Sequence, residues 1–277
     1  MMILTSLIVF AAVANAHVPP GFTPLPLNPL LGVPGFPDCV KASGGNVTEP
    51  ELALLCDARP KLRADQISIA CVGDSITAGV HSSGRNWTYP SQLQHMLDAK
   101  YPGKYVVTNY GACGSTMQKT GDSPYWKRPQ YPAVMKSNAD IIVIMLGTND
   151  AKDTGNHGPA NWENDGHTGV VPFTNSFHSM IDEFKAFASK PVIYSAIPPP
   201  LYKDSVYGMN QTVINDVFPV LIPHINAINQ LPHAAIDVFD ALGGAALKHP
   251  GWTADGCHPN DVGYTHLAAA VMAGIGL

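Results

Sequence analysis

Two short motifs, far apart in the chain, together contain the groups needed for nucleophilic catalysis. Segment 73–77 reads GDSIT and places Ser75 directly after an apolar run. Segment 255–260 reads DGCHPN and places His258 three residues after Asp255. A serine hydroxyl is a weak nucleophile at neutral pH and needs a base within hydrogen-bond reach. We therefore predict that His258 takes the proton of Ser75 while Asp255 orients the imidazole.

Two further motifs supply donors for the negative charge that such an attack creates on a carbonyl oxygen. Segment 109–112 reads NYGA, and segment 147–150 reads GTND. Preorganised backbone N–H groups and side-chain amides stabilise an oxyanion of this kind. The predicted donors are the backbone N–H groups of Ser75 and Gly111 and the side-chain amide of Asn149.

The elements that must bring these motifs together follow from hydrophobic periodicity. The pattern predicts strands at residues 67–72, 105–109, 140–146, 192–196 and 236–239. It predicts helices at residues 89–100, 173–188, 215–230 and 261–273, the third of them broken or kinked near Pro219 and Pro223. Strands that alternate with helices favour an α/β fold, in which a parallel sheet is covered by helices on both faces. Every motif follows a strand, at the edge of the sheet where ligands bind in such folds.

At these four blocks the sequence resembles the GDSL/SGNH hydrolase family, from the first predicted strand to the end. The four residues that give the SGNH group its name correspond to Ser75, Gly111, Asn149 and His258, and Asp255 stands three positions before the histidine. The resemblance implies a three-layer α/β/α, flavodoxin-like fold with a parallel sheet of about five strands. It also implies a carboxylic ester hydrolase that works through an acyl-enzyme.

A second Gly-Asp-Ser triplet, ending at Ser123, is not expected to be catalytic. No apolar strand precedes it, and Pro124 disfavours helical backbone at Ser123. The sequence also lacks the Gly-x-Ser-x-Gly elbow, the phosphate-binding glycine loops and the His-Glu-x-x-His motif. The other histidines and acidic residues show no recognisable metal-ligand spacing, so we expect neither a metal nor a cofactor.

Three long segments follow strand ends, at residues 112–138, 151–172 and 197–214. Loops of this length usually have a function, and exposed Trp or Tyr rings can stack on sugar rings. The predicted substrate contacts are Tyr125, Trp126, Trp162 and Tyr202. Segment 121–129 is similar to carbohydrate esterases of the sialate O-acetylesterase type. The hypothesis that follows is removal of O-acetyl groups from a carbohydrate.

Two alternatives to this hypothesis stay open at the level of sequence. A lysophospholipase or a broad short-chain esterase would use the same catalytic residues on a different ester. A glycan-binding module that has lost catalysis would keep the fold and the aromatic loops, although the intact motifs argue against it.

The N-terminal region predicts export. Residues 1–16 are apolar and end in Ala-Asn-Ala, which is typical of a signal peptide and its cleavage site. A Pro-rich arm and connector at 17–66 and an esterase domain at 67–277 follow. Glycosylation sequons stand at Asn46, Asn86 and Asn210. We expect a secreted glycoprotein.

Composition excludes two classes of partner. The net charge is −5, with 45% hydrophobic and 13% charged residues, and no cluster of Lys and Arg is present. A nucleic-acid partner, which needs a basic face, is therefore not expected. No segment after the signal peptide reaches the ~18 apolar residues of a membrane span. The oligomeric state stays open between a monomer and a larger assembly.

Five cysteines are present, so at least one thiol stays unpaired in a monomer. Cys39 and Cys56 bracket a small loop outside the main fold and are the expected disulfide. Cys113 and Cys257 each lie beside a catalytic motif and are candidates for a bridge between two loops. Cys71 lies in an apolar run, which favours a buried thiol.

Overall fold

Five parallel strands form one sheet in the order β2-β1-β3-β4-β5. The computed structural model describes residues 63–153, 161–162 and 169–277. The strands are β1 (Ile67–Gly73), β2 (Tyr105–Gly111), β3 (Ile141–Met145), β4 (Val192–Ile197) and β5 (Ile236–Asp237). The predicted α/β fold with a parallel sheet of about five strands is confirmed.

Seven α-helices within the described residues connect and cover the strands. They are α1 (Ser75–Ala78), α2 (Tyr89–Lys100), α3 (Gln130–Met135), α4 (Val170–Lys185), α5 (Phe218–Ile228), α6 (Val238–Ala241) and α7 (Asp261–Gly274). Helix α2 has the predicted bounds, because Thr88 caps its first turn through Ser91 N–H and Pro90 is favourable there. No helix in the described residues is long and apolar enough to cross a membrane.

The sheet is buried on both faces, which explains its near-continuous apolar strands. Side chains alternate across a strand, so Ile69 and Cys71 of β1 pack with α2 and α7 on one face. Ala70 and Val72 point to the other face, into the core that includes the apolar residues of α3, α4 and α5. The result is three layers, with the strand ends of β1, β2 and β3 side by side.

The strand order reverses between β1 and β3, which pair directly and lead to helices on opposite faces of the sheet. Loops that leave a sheet in opposite directions open a crevice at its carboxyl edge. Ser75 follows β1, and Asn149 follows β3 on a 3₁₀ turn at Thr148–Ala151. The topology therefore places the nucleophile candidate and the amide candidate on the two sides of one crevice.

The fifth strand is shorter than the predicted 236–239. Only Ile236–Asp237 is strand, and Val238–Ala241 forms helix α6. Asp237 begins this helix, because its carboxylate accepts a hydrogen bond of 2.8 Å from the Asp240 N–H. A run of apolar residues does not by itself distinguish a buried strand from a buried helix.

Two other segments differ from the sequence pattern. The helix predicted at 215–230, with a break or kink near Pro219 and Pro223, starts earlier, as a π-helical turn at Val213–Val217; the expected disruption follows it, since α5 begins there and has Pro223 inside. The disruption agrees with the loss of backbone N–H groups at proline. Segment 112–138, read as a loop, contains a 3₁₀ turn at Tyr125–Lys127 and helix α3.

Glycine at the ends of β1 and β2 lets helix α1 approach the sheet closely. A Cβ on Gly111 would lie 2.1 Å from the Ala78 nitrogen, and one on Gly73 would lie 2.0 Å from Thr77 Oγ1. Both distances are far below van der Waals contact. The two glycines therefore fix the position of the helix that begins with Ser75.

We predict that Gly111→Ala destabilises the fold, because the added methyl group meets the backbone of α1 and overpacking costs about 1–3 kcal/mol. Urea denaturation of both forms measures the change. Gly84→Ala is the matched control, since a Cβ there meets nothing within 4 Å and its φ of 165° is extended backbone. Equal stability of Gly111→Ala and Gly84→Ala would contradict the proposed close packing.

Candidate active site

Ser75 lies at the first position of α1, immediately after the end of β1. Asp74 caps this helix, because its Oδ1 accepts a hydrogen bond of 2.9 Å from the Ile76 N–H. Burial raises the pKa of Asp74 to about 6. Ser75 is itself only 8% exposed. Asp74 thus belongs to the turn that presents the serine, as expected for a capping residue.

His258 reaches Ser75 from the loop between α6 and α7. Its Nε2 lies 2.9 Å from Ser75 Oγ, and its Nδ1 lies 2.8 Å from Asp255 Oδ2. The other carboxylate oxygen of Asp255 accepts the N–H groups of Cys257 and His258, at 2.8 and 2.7 Å. The structure therefore brings the predicted nucleophile, base and orienting acid into one hydrogen-bonded chain.

These contacts stabilise the ionised form of Asp255. Partial burial raises the pKa of Asp255, but the hydrogen bonds from His258 and Cys257 lower it more. The pKa of this carboxyl group therefore lies well below its ordinary value. An ionised Asp255 keeps the proton of His258 on Nδ1 and leaves Nε2 to face the serine.

Asn149 lies in the crevice on the side of β3 and is 4% exposed. Its Nδ2 donates to the Ser115 carbonyl at 3.2 Å, which leaves its second amide hydrogen for another acceptor. The neighbouring Asp150 accepts the N–H groups of Met117 and Gln118, each at 2.7 Å. Burial raises the pKa of Asp150 to about 7. These bonds tie the loop after β3 to the loop after β2.

The structure gives Gly111 a different role from the predicted oxyanion donor. Its N–H donates to Asn109 Oδ1 at 2.8 Å and is therefore occupied. Gly114 is the better backbone donor, because its N–H has no hydrogen-bond partner within the described residues. Its left-handed backbone (φ 76°) and open surroundings suit a close approach of substrate. Both positions are glycine in the sequence, and only the contact with Asn109 shows that the Gly111 N–H is already hydrogen-bonded.

The predicted substrate contacts are largely wrong. Tyr125 and Trp162 are fully buried, and Trp162 packs edge-on against Phe218 in the core. Trp126 is partly buried and donates its indole N–H to Glu183 at 2.8 Å. Tyr202 is half-buried.

The Tyr202 hydroxyl donates to the Leu242 carbonyl at 2.6 Å and accepts a hydrogen bond from the His249 N–H. All four rings thus support their own loops, because apolar neighbours or internal hydrogen bonds hold them. Tyr125 and Trp162 have no exposed ring surface to offer to a substrate.

Two residues outside the predicted catalytic set contact Asp255. The Tyr207 hydroxyl donates to Asp255 Oδ2 at 2.8 Å, and His81 Nε2 lies 3.2 Å from the same oxygen. His81, Asp255 and His258 form the one group in the described residues with metal-ligand types at suitable spacing. Two of these three are the candidate acid and base. His81 and Tyr207 both have left-handed backbone. No sequence motif predicts this conformation at either position.

The cysteines differ from the expected pattern. Cys71 is a buried free thiol, as predicted, but Cys257 is also free, so the candidate bridge between Cys113 and Cys257 is wrong. Cys113 is disulfide-bonded. Cys39 and Cys56, the expected disulfide, lie outside the described residues, so their pairing stays a prediction.

Two of the three sequons fall on described residues. Asn86 is exposed in the 3₁₀ turn Arg85–Trp87. Asn210 is partly buried, and its side-chain oxygen accepts the Thr212 N–H at 2.9 Å. Asn46 lies outside the described residues. Asn86 is therefore the more accessible acceptor of the two.

Residues 71–266 match the model of the GDSL-like lipase/acylhydrolase family. The chain belongs to this family. The resemblance seen at the four sequence blocks is thereby confirmed.

A curated relative of this GDSL-like protein is an acetylxylan esterase of Xylanibacter ruminicola. The two are 28% identical over 237 residues, which cover 78% of this chain and 44% of the relative. The chain thus spans less than half the length of that protein.

Solved structures share the fold. The lipase/acylhydrolase of Enterococcus faecalis is 26% identical with a TM-score of 0.57, over 76% of this chain and 95% of that one. The acetyl xylan esterase AlAXEase is 21% identical with a TM-score of 0.58, over 75% and 98%. A two-domain esterase active on acetylated mannans is 16% identical with a TM-score of 0.53, over 81% and 52%.

Acid sensitivity tests the electrostatics of Asp255. In the folded protein the pKa of Asp255 lies below the ordinary value of 3.8. Ionised Asp255 therefore stabilises the fold at pH values above 3.8, and this contribution is lost as the pH falls toward the pKa of the folded state. We predict that wild type loses more unfolding free energy than Asp255→Asn between about pH 6 and pH 3. Urea denaturation at fixed pH values measures both slopes.

Asp98→Asn, at an exposed aspartate on α2, is the matched control and should follow the wild type. An Asp255→Asn protein as acid-sensitive as the wild type would show that this carboxylate is not held in its charged form.

Proposed function

We propose that this protein is a carboxylic ester hydrolase that removes O-acetyl groups from a carbohydrate. The observation that carries the proposal is the hydrogen-bonded chain from Ser75 Oγ through His258 to Asp255, with contacts of 2.9 and 2.8 Å. Family membership supports ester hydrolysis, and the acetylxylan esterase relative supports an acetylated carbohydrate as the substrate.

The reaction has two steps. In the first, Ser75 Oγ attacks the acetyl carbon while His258 Nε2 accepts the hydroxyl proton. The bond from the carbon to the sugar oxygen then breaks, and His258 returns the proton to that oxygen. In the second step a water attacks the acetyl-serine with His258 again as base, which releases acetate and restores the serine.

The oxyanion is stabilised by three donors in this scheme: the N–H groups of Ser75 and Gly114 and the Asn149 amide. The Ser75 N–H opens helix α1 and has no intrahelical partner. The loops that supply the other two are fixed to each other through Asp150. Donors that are held before the reaction need no reorganisation during it.

The lipid alternative has one supporting observation, the 26% identity to a lipase/acylhydrolase. A long acyl chain needs an apolar groove beside the nucleophile. In the described part of the chain, the exposed large apolar side chains other than Tyr207 lie on helices or at the start of β4: Val171, Val192, Val220, Ile228 and Val262. This distribution favours a short acyl group. A non-catalytic glycan-binding module is disfavoured by the complete triad.

Acetate release from acetylated xylan tests the proposal. Ser75→Ala should lower the rate by about 10³-fold or more, because the attacking oxygen is lost. The matched control is Ser123→Ala, which removes the serine of the second Gly-Asp-Ser triplet and should keep the wild-type rate. No acetate release by the wild type, together with fast hydrolysis of long-chain esters, would replace the carbohydrate with a lipid.

We also propose export through the secretory route, from the apolar residues 1–16, which lie outside the described residues. The exposed position of Asn86 is compatible with a glycan. We predict that glycosidase treatment of protein expressed in a eukaryotic secretory host lowers its mass, and that Asn86→Gln removes part of this shift. If glycosidase treatment lowers the mass of Asn86→Gln as much as that of the wild type, glycosylation at this site is contradicted.

A further inference from the structure

Tyr207 is a partly exposed aromatic residue at the candidate site. It is 46% exposed, and its hydroxyl donates to Asp255 Oδ2 at 2.8 Å. The same oxygen lies 2.8 Å from His258 Nδ1. Tyr207 is thus fixed at its polar end by the triad, while much of the ring remains open to solvent.

The backbone at Tyr207 is strained. Its φ is 53°, and Ser205 at 58° and Gly208 at 77° are also left-handed. A bulky side chain is uncommon in this region, and such strain clusters at functional sites. Three backbone hydrogen bonds hold the turn: Ser205 N–H to the Met209 carbonyl at 3.0 Å, Gly208 N–H to the Ser205 carbonyl at 3.1 Å and Met209 N–H to the Val206 carbonyl at 3.0 Å.

The turn is also attached to the elements around the crevice. The Asp153 N–H donates to the Gly208 carbonyl at 3.1 Å, and the Tyr202 N–H donates to the Gly256 carbonyl at 2.7 Å. The first bond joins the turn to the chain after Asn149. The second joins the same loop to the loop that carries Asp255. The ring position is therefore set by the site and not by the turn alone.

The Tyr207 ring lies next to the histidine that must serve the leaving alcohol. The two ring centroids are 5.5 Å apart, with an angle of 70° between the planes. His258 gives its proton to the sugar oxygen when the ester bond breaks, so the sugar has to lie beside His258 Nε2. A partly exposed aromatic ring next to the same imidazole offers an apolar surface to the C–H groups of a pyranose.

We propose that Tyr207 forms the alcohol-side subsite, with its ring against the pyranose that carries the ester and its hydroxyl positioning Asp255. The inference rests on the proposed hydrolysis of carbohydrate acetates and assigns the sugar to one side of the crevice. His81 Nε2, 3.2 Å from Asp255 Oδ2, is the second side chain at this carboxylate. Its ring centroid is also 5.5 Å from that of His258.

Two variants separate the ring from the hydroxyl. Tyr207→Phe keeps the ring and removes the contact with Asp255. Tyr207→Gly removes both, and glycine accepts the left-handed backbone at this position, so the turn is expected to remain folded. Each variant is assayed on an acetylated xylooligosaccharide and on methyl acetate, which has no sugar ring. Tyr101→Ala, at the opposite edge of the sheet, is the control for losing a partly exposed tyrosine.

The expected result is a split between KM and kcat. Tyr207→Gly raises KM for the xylooligosaccharide about tenfold and leaves KM for methyl acetate unchanged. Tyr207→Phe keeps both KM values. Both variants lower kcat on both substrates, about tenfold, because a hydrogen bond to the charged Asp255 is lost. Tyr101→Ala should match the wild type.

If Tyr207→Gly has the same KM for the xylooligosaccharide as the wild type, the proposed sugar subsite is wrong. If Tyr207→Phe has the same kcat as the wild type, the hydroxyl does not position Asp255. In both cases the wild type still releases acetate from the oligosaccharide. A wild type that hydrolyses methyl acetate and no acetylated carbohydrate overturns the proposed function and the sugar subsite together, so the failures are distinguishable.

Discussion

The contact of 2.9 Å between Ser75 Oγ and His258 Nε2 is the interaction on which the rest of the site depends. The two residues are 183 positions apart, and only the packing of the sheet and helices brings them together. Helix α1 must lie close to β1 and β2, which requires glycine at 73 and 111. Helix α7 must begin where the loop from Asp255 ends. A small shift of either helix would separate the nucleophile from its base.

Buried polar groups maintain this geometry around the crevice. Asp74 caps the helix that presents Ser75, Asp150 fixes the loop after β2 to the loop after β3, and Asp255 accepts both backbone and side-chain donors. Each carboxylate is placed by hydrogen bonds from its neighbours, which reduces the free-energy cost of burying it. The three acidic residues thus position the groups of the site, whereas Ser75 and His258 carry out the chemical steps.

Sequence reasoning succeeded where the signal was local and failed where it depended on distant packing. Helix α2 was predicted with its bounds, because periodicity and proline are local features. Gly111 ends β2 and Gly114 lies three residues further on, and the side chain of Asn109 decides which N–H is free. Trp162 was expected to be exposed, yet partners far along the chain bury it. Left-handed backbone, as at Tyr207, has no signature in the residue type.

The most direct test of the account is to identify the acylated residue during turnover. Wild-type protein is mixed with an acetylated substrate, quenched in acid within the first turnover and digested for peptide mass spectrometry. The account predicts the mass of one acetyl group on the peptide that contains Ser75, and its absence in His258→Ala, which lacks the base. An acetyl group on Ser123, or turnover with no acylated peptide, would contradict Ser75 as the nucleophile.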